Sequence, residues 1–170
     1  MARPKSGDYG DFYAGYIQAT EPANSIHELI QTFSQDINNF YANLPEEKAD
    51  YRYEDSKWSI KQLLQHIIDA DRIFGFRALT FARKDVVNLV GFDENAYAEN
   101  ADGSERTLTD LKEELLSLRK STDKLLQSFS EQQLNEKGIA SNHSISVNAL
   151  CFIIYGHLLH HKKILTERYL

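Results

Sequence analysis

The chain has 170 residues, 42% hydrophobic and 26% charged, an ordinary globular mixture that excludes disorder and low-complexity repeats. Nineteen Lys and Arg against 25 Asp and Glu give a net charge of -6, the wrong sign for attracting a polyphosphate, so nucleic acid is set aside as a partner. A single cysteine, Cys151, excludes an internal disulfide and any cysteine-rich zinc or iron–sulfur site, and fits a reducing, cytoplasmic setting.

The length suits one domain over residues 1–170. Met1 to Lys5 is followed by Ser6, Gly7 and Asp8 instead of an apolar run, so no secretory signal is expected. Tyr9, Tyr13 and Tyr16 make residues 1–24 an aromatic arm that should pack on the rest of the chain. A first helix is predicted from about Ser25 to Asn43, with Ile26, Leu29, Ile30, Phe33, Ile37 and Phe40 on its inner stripe and Leu44-Pro45 ending it. The second begins near Ser59, where Ser59 and Gln62 have capping-box spacing, and runs through Leu63, Ile67, Phe74 and Phe81 to about Lys84.

The stretch from Asp85 to Arg106 is far longer than the usual connection between antiparallel helices. It is long enough to return along a bundle, which predicts parallel second and third helices in an up-down-down-up arrangement, with Gly91-Phe92-Asp93-Glu94-Asn95 and Tyr97 as an ordered cover. A third helix starts near Thr107 or Thr109 and carries Leu111, Leu115, Leu118, Leu125 and Phe129 on one side. The fourth starts near Ser144 and carries Val147, Leu150, Ile154, Leu158 and Leu165 almost to the last residue. No segment shows sustained period-two alternation, so the fold class is all-α, a four-helix bundle. The most apolar window, Ala149 to Tyr155, falls well short of the roughly 20 residues that span a bilayer, and no membrane partner is expected.

Chemistry concentrates in the histidines. His157 and His161 stand four apart on a helix, so their rings share one face a turn apart and can converge on one ion. His66, on the second helix among Leu63, Ala70 and Ile73, could add a third nitrogen, and three imidazoles satisfy a metal site that keeps a position open. No spacing rule brings His66 to the other two, and a histidine on an apolar face is more often a hydrogen-bonded core residue than a ligand. His160 points about 100° away from His161, toward an edge or a substrate. His27 and His143 stand at element starts and read as structural.

Trp58-Ser59-Ile60-Lys61 with His66-Ile67-Ile68-Asp69-Ala70, and the closing Gly156-His157-Leu158-Leu159-His160-His161 with Glu167-Arg168-Tyr169-Leu170, resemble the second- and last-helix motifs of the DinB-like superfamily. Arg77, Gly91-Phe92-Asp93 and Arg119 fall in similar order between them. The resemblance implies an up-down-down-up bundle, a divalent metal such as zinc or nickel held by His66, His157 and His161, and a common tendency to form homodimers. It further implies chemistry ranging from S-transfer with a low-molecular-weight thiol to metal-dependent hydrolysis, in which the metal lowers the pKa of a bound thiol or water that attacks a small-molecule electrophile.

Other residues are open to two readings. Arg77, eleven residues after His66, could bind an anionic substrate or thiol carboxylate, or pair with Asp71 or Glu114. Asp69 could orient an imidazole or lie on the exposed surface. Cys151 is rotated about 240° from His157 and reads as core. A di-iron carboxylate centre is excluded because neither His66 nor His157 has Glu three residues before it, and Gly7, Gly10 and Gly15 form no phosphate loop. No general base is evident beside the histidines, which keeps a non-catalytic metal-binding or stress-response bundle as the alternative.

Overall fold

The computed structural model describes residues 1–85, 87–101 and 105–170. The arm carries a short helix, α1 (Ala14–Ala19), before the long helices α2 (Ile26–Ala42) and α3 (Ile60–Ala82). The crossover contains a two-residue strand β1 (Asn88–Leu89) and a helix α4 (Glu94–Asn100), then α5 (Leu108–Gln127) follows. A short α6 (Glu131–Asn135) and the strands β2 (Lys137–Ala140) and β3 (His143–Ser146) lead into α7 (Val147–Ile164), which closes in a π-helical turn over Leu165–Tyr169. Among the described residues no helix is long and apolar enough to cross a membrane.

The long helices start where a hydroxyl can satisfy otherwise unpaired N–H groups. The side chains of Ser25, Thr107 and Ser146 accept from the N–H groups of Glu28, Asp110 and Ala149, and Ser59 with Gln62 forms a complete capping box. Their apolar stripes, including Leu29 and Ile37 of α2, Ile67 and Phe74 of α3, Leu111 and Leu115 of α5 and Leu150 and Ile154 of α7, meet in one continuous core.

Cross-helix contacts fix the directions. Gln65 meets Arg106 and Arg72 meets Glu114, so α3 and α5 advance together and are parallel. Ser34 bonds Asp123 while Glu46, just past α2, bonds Thr109, so α2 and α5 are opposed. His66 lies beside His161 and Phe74 beside His157, which opposes α3 and α7. The result is up-down-down-up, and parallel α3 and α5 are what make the long crossover necessary.

One buried polar network ties all four long helices together. Arg119 of α5 bonds Asp71 of α3 and its own neighbour Asp123, each at 2.5 Å. Asp123 also accepts from Ser34 of α2 at 2.7 Å and Tyr155 of α7 at 2.6 Å, and Thr122 completes Asp71 at 2.6 Å. A guanidinium in the middle of a bundle is tolerable only with such full pairing, which also sets the register of the helices.

A small sheet departs from the all-helical expectation. β1 pairs parallel with β2, and β2 pairs antiparallel with β3. Ser141 and Asn142 both have positive φ, 51° and 64°, the backbone a two-residue hairpin turn requires. These strands hold at most four residues each, too few for an alternation pattern to stand out. The last helix therefore begins at Val147 with Ser146 as its cap, not near Ser144.

The arm docks through a glycine. A Cβ added at Gly156 of α7 would lie 2.1 Å from the Tyr16 carbonyl oxygen, so only a residue without a side chain lets α1 approach this closely. Tyr13 and Ile17 are buried by that docking.

Candidate metal centre

Opposed packing of α3 and α7 brings the three histidines together. His157 Nε2 lies 3.0 Å from His66 Nε2 and 3.0 Å from His161 Nε2, and the ligand nitrogens of all three lie within 4.8 Å of one another. The i, i+4 spacing sets the α7 pair, and the helix register supplies His66. The Trp58 ring flanks His66 at 4.9 Å, while Phe74 and Tyr16 meet His157 edge-on at 5.8 and 5.6 Å.

Burial disfavours the charged imidazolium at each ring. It pulls His66 down to about 4, with the Glu94 carboxylate opposing the shift and His160 adding to it. His157 and His161 fall well below the ordinary histidine range, first through burial and then through neighbouring imidazoles. All three are neutral near pH 7, with lone pairs available. His157 Nε2 holds either one proton or one lone pair, so it cannot form good hydrogen bonds to both neighbours at once. A cation resolves that conflict. Nitrogens about 2.0–2.1 Å from a common metal stand about 2.9–3.4 Å apart, the range in which both 3.0 Å separations fall. The donor set therefore fits a divalent ion that accepts imidazole, such as zinc or nickel.

The histidines line one wall of a cavity of about 450 Å³. Tyr13, Tyr16, Trp58, Phe74 and Phe92 give it an aromatic character, while Arg77 and Glu94 supply opposite charges. His160 also lines it, with its ring 5.3 Å from Tyr16 and its basicity lowered by burial and by Lys163.

Arg77 pairs with neither Asp71 nor Glu114. Asp71 belongs to Arg119, and Glu114 is held by Arg72 and Arg106. Asp69 bonds Gln65 at 3.0 Å and faces a separate groove beside α4, so it makes no hydrogen bond to an imidazole. Among the described residues His161 Nδ1 is buried without a partner, and none of them supplies this ring with an outer acceptor. Cys151 is fully buried, which pushes its thiol up and removes it from chemistry.

Glu94 is the residue that reading along the sequence passes over. It opens α4 in the crossover, one residue after the cap Asp93, whose side chain accepts from Asn95 and Ala96 N–H groups. Its carboxylate faces the cavity closely enough to act on His66 and Tyr16. Only its place in the covering segment Gly91–Asn95 could have signalled it, because nothing local relates that segment to the histidines.

No curated protein matches the chain in sequence. Among solved structures it is similar to YfiT from Bacillus subtilis, described as a probable metal-dependent hydrolase with an unusual four-helix bundle topology. The likeness has a TM-score of 0.71 at 16% identity and covers 96% of this chain and 89% of that one, which establishes the shared fold. The family model described as the DinB superfamily matches residues 28–165, a span running from the first turn of α2 through the two α7 histidines. With that match and a three-histidine cluster set between opposed bundle helices, the chain belongs to the DinB superfamily.

Proposed function

We propose that the protein is a divalent-metal-dependent enzyme acting on a small electrophile, with S-transfer from a low-molecular-weight thiol as the favoured reaction and hydrolysis as its close relative. The observation that carries this reading is the convergence of three neutral Nε2 atoms on the wall of an open cavity that also holds a carboxylate. His66, His157 and His161 would hold zinc or nickel, and an ion there would favour the anionic form of a thiol or water by lowering its pKa.

This chain's own residues do the rest. Burial keeps the imidazoles unprotonated, so protons do not compete for their lone pairs near neutral pH. Glu94 is the acceptor for the proton that the nucleophile gives up, the general base the site otherwise lacks. Trp58, Phe74 and Tyr16 pack around the rings, fix their orientation and limit water on one side.

Two measurements test the reading. Elemental analysis of untagged protein should find close to one zinc or nickel per chain, and His157→Ala should lose it. Thiol-dependent turnover of an electrophile panel should fall at least about a hundredfold in His157→Ala and about tenfold to a hundredfold or more in Glu94→Gln. Metal bound without turnover would favour the non-catalytic bundle. Turnover unchanged in His157→Ala would remove the histidines from the chemistry.

A further inference from the structure

The cavity has a second polar end. Arg77 is only 3% exposed, and among the described residues no carboxylate forms an ion pair with it. Its Nη2 donates to the Val90 carbonyl at 3.0 Å and the Ser141 hydroxyl at 3.3 Å, both neutral acceptors. The Tyr13 hydroxyl also lies beside the guanidinium, a further neutral partner. An arginine stays charged at any working pH, and a guanidinium buried without a counter-ion is costly unless an anion completes it.

That end lies within reach of the histidines. The Phe74 ring is 5.9 Å from the Arg77 guanidinium carbon and 5.8 Å from the His157 ring, so guanidinium and imidazole are at most about 12 Å apart. Charge is also segregated: Glu94 acts on His66, while Arg77 stands at the hairpin end beside Ser141. In the metal-free protein an anionic group entering the cavity is repelled by Glu94 and drawn to Arg77.

We propose that the substrate is a small carboxylate with an apolar body, its carboxylate held by Arg77 and its reacting centre turned toward His66, His157 and His161. The inference deepens the metal-dependent reading and rests on it only for the reacting end. A carboxylate is favoured over a phosphate dianion because Arg77 supplies a single positive charge at its end of the cavity, which one carboxylate matches and a dianion exceeds. The aromatic lining suits a flat or hydrocarbon body between the two ends.

Trp58 is the only tryptophan and lines the same cavity, so its fluorescence reports occupancy directly. Metal-free native protein is titrated with 3-phenylpropionate and with the neutral 3-phenylpropionamide. The carboxylate should bind at least about tenfold more tightly, as expected when a buried charged partner is left unmatched by the amide. Arg77→Gln should cut that advantage to less than about twofold, and Arg77→Lys should keep part of it.

Equal binding of acid and amide to native protein overturns the proposal without any variant, as does a preference that survives Arg77→Gln. Inorganic phosphate or phenyl phosphate binding more tightly than 3-phenylpropionate overturns the carboxylate assignment. Because no metal is present, failure here leaves the metal reading standing, and failure to take up metal leaves this result standing.

Discussion

Replacing Gly156 with alanine sets two effects of opposite sign against each other. In a helix interior, alanine is favoured over glycine by about 0.8–1.0 kcal/mol, so propensity alone predicts a more stable protein. The added Cβ, however, would stand 2.1 Å from the Tyr16 carbonyl oxygen and 2.5 Å from its carbonyl carbon, well inside contact distance with backbone that cannot rotate away. α1 must retreat by about 1 Å or more, loosening Tyr13 and Ile17, and overpacking of this kind costs about 1–3 kcal/mol before any burial of these side chains is lost. Loss of burial adds about 1.5–3 kcal/mol for each apolar side chain fully exposed, so the steric effect outweighs propensity. We expect a net loss of about 2 kcal/mol in urea unfolding, equivalent to a fall of about 4–8 °C in Tm for a chain of this length. Metal affinity should weaken as well, because Tyr16 packs on His157 and His160 from the displaced helix. A Gly156→Ala protein as stable as the native one, or more so, would show that propensity governs this position and that the close approach of α1 is not what the glycine serves.

Asp71→Asn should destabilise by about 3–5 kcal/mol, because it leaves the Arg119 guanidinium buried with its main counter-charge removed, and denaturant melts of the single and the Asp71→Asn/Arg119→Met double variant should show strong non-additivity. Metal-free protein should lose stability as pH falls from about 6.5 toward 4, because the unfolded histidines take up protons that the buried ones refuse; His66 alone, depressed to about 4, accounts for roughly 3 kcal/mol of that loss. That contribution is fully present above pH 6.5, and a urea midpoint unchanged between pH 7 and 4.5 would contradict the burial-driven shift. Zinc or nickel at about a hundredfold excess over its Kd should stabilise the fold by about 2.7 kcal/mol, visible as a rise in Tm that is absent in His66→Ala.

The bundle was legible in the sequence because its determinants are local. The capping-box spacing at Ser59 and Gln62 and the apolar stripes at helical spacing act within a few residues, and the structure starts the first three long helices within a residue or two of the predicted points. The length of the Asp85–Arg106 connection implied parallel neighbours, and the contacts of α3 with α5 show them. Short strands are different. Ser141-Asn142 lacks the usual Asn-Gly signature, and β2 gains its stability from β3 and from β1, which lies about fifty residues earlier in the chain, a pairing that periodicity cannot register.

Residue order by itself determined that His157 and His161 share a face, since four residues on a helix return a side chain to the same side. Only the tertiary structure decided that His66 meets them, that Arg119 and not Arg77 takes Asp71, and that Glu94 and Arg77 share the histidines' cavity. Each of those outcomes depends on the relative register of helices far apart in the chain. That register is a joint property of the whole core, including the Arg119 network and the close contact at Gly156, and no local pattern encodes it.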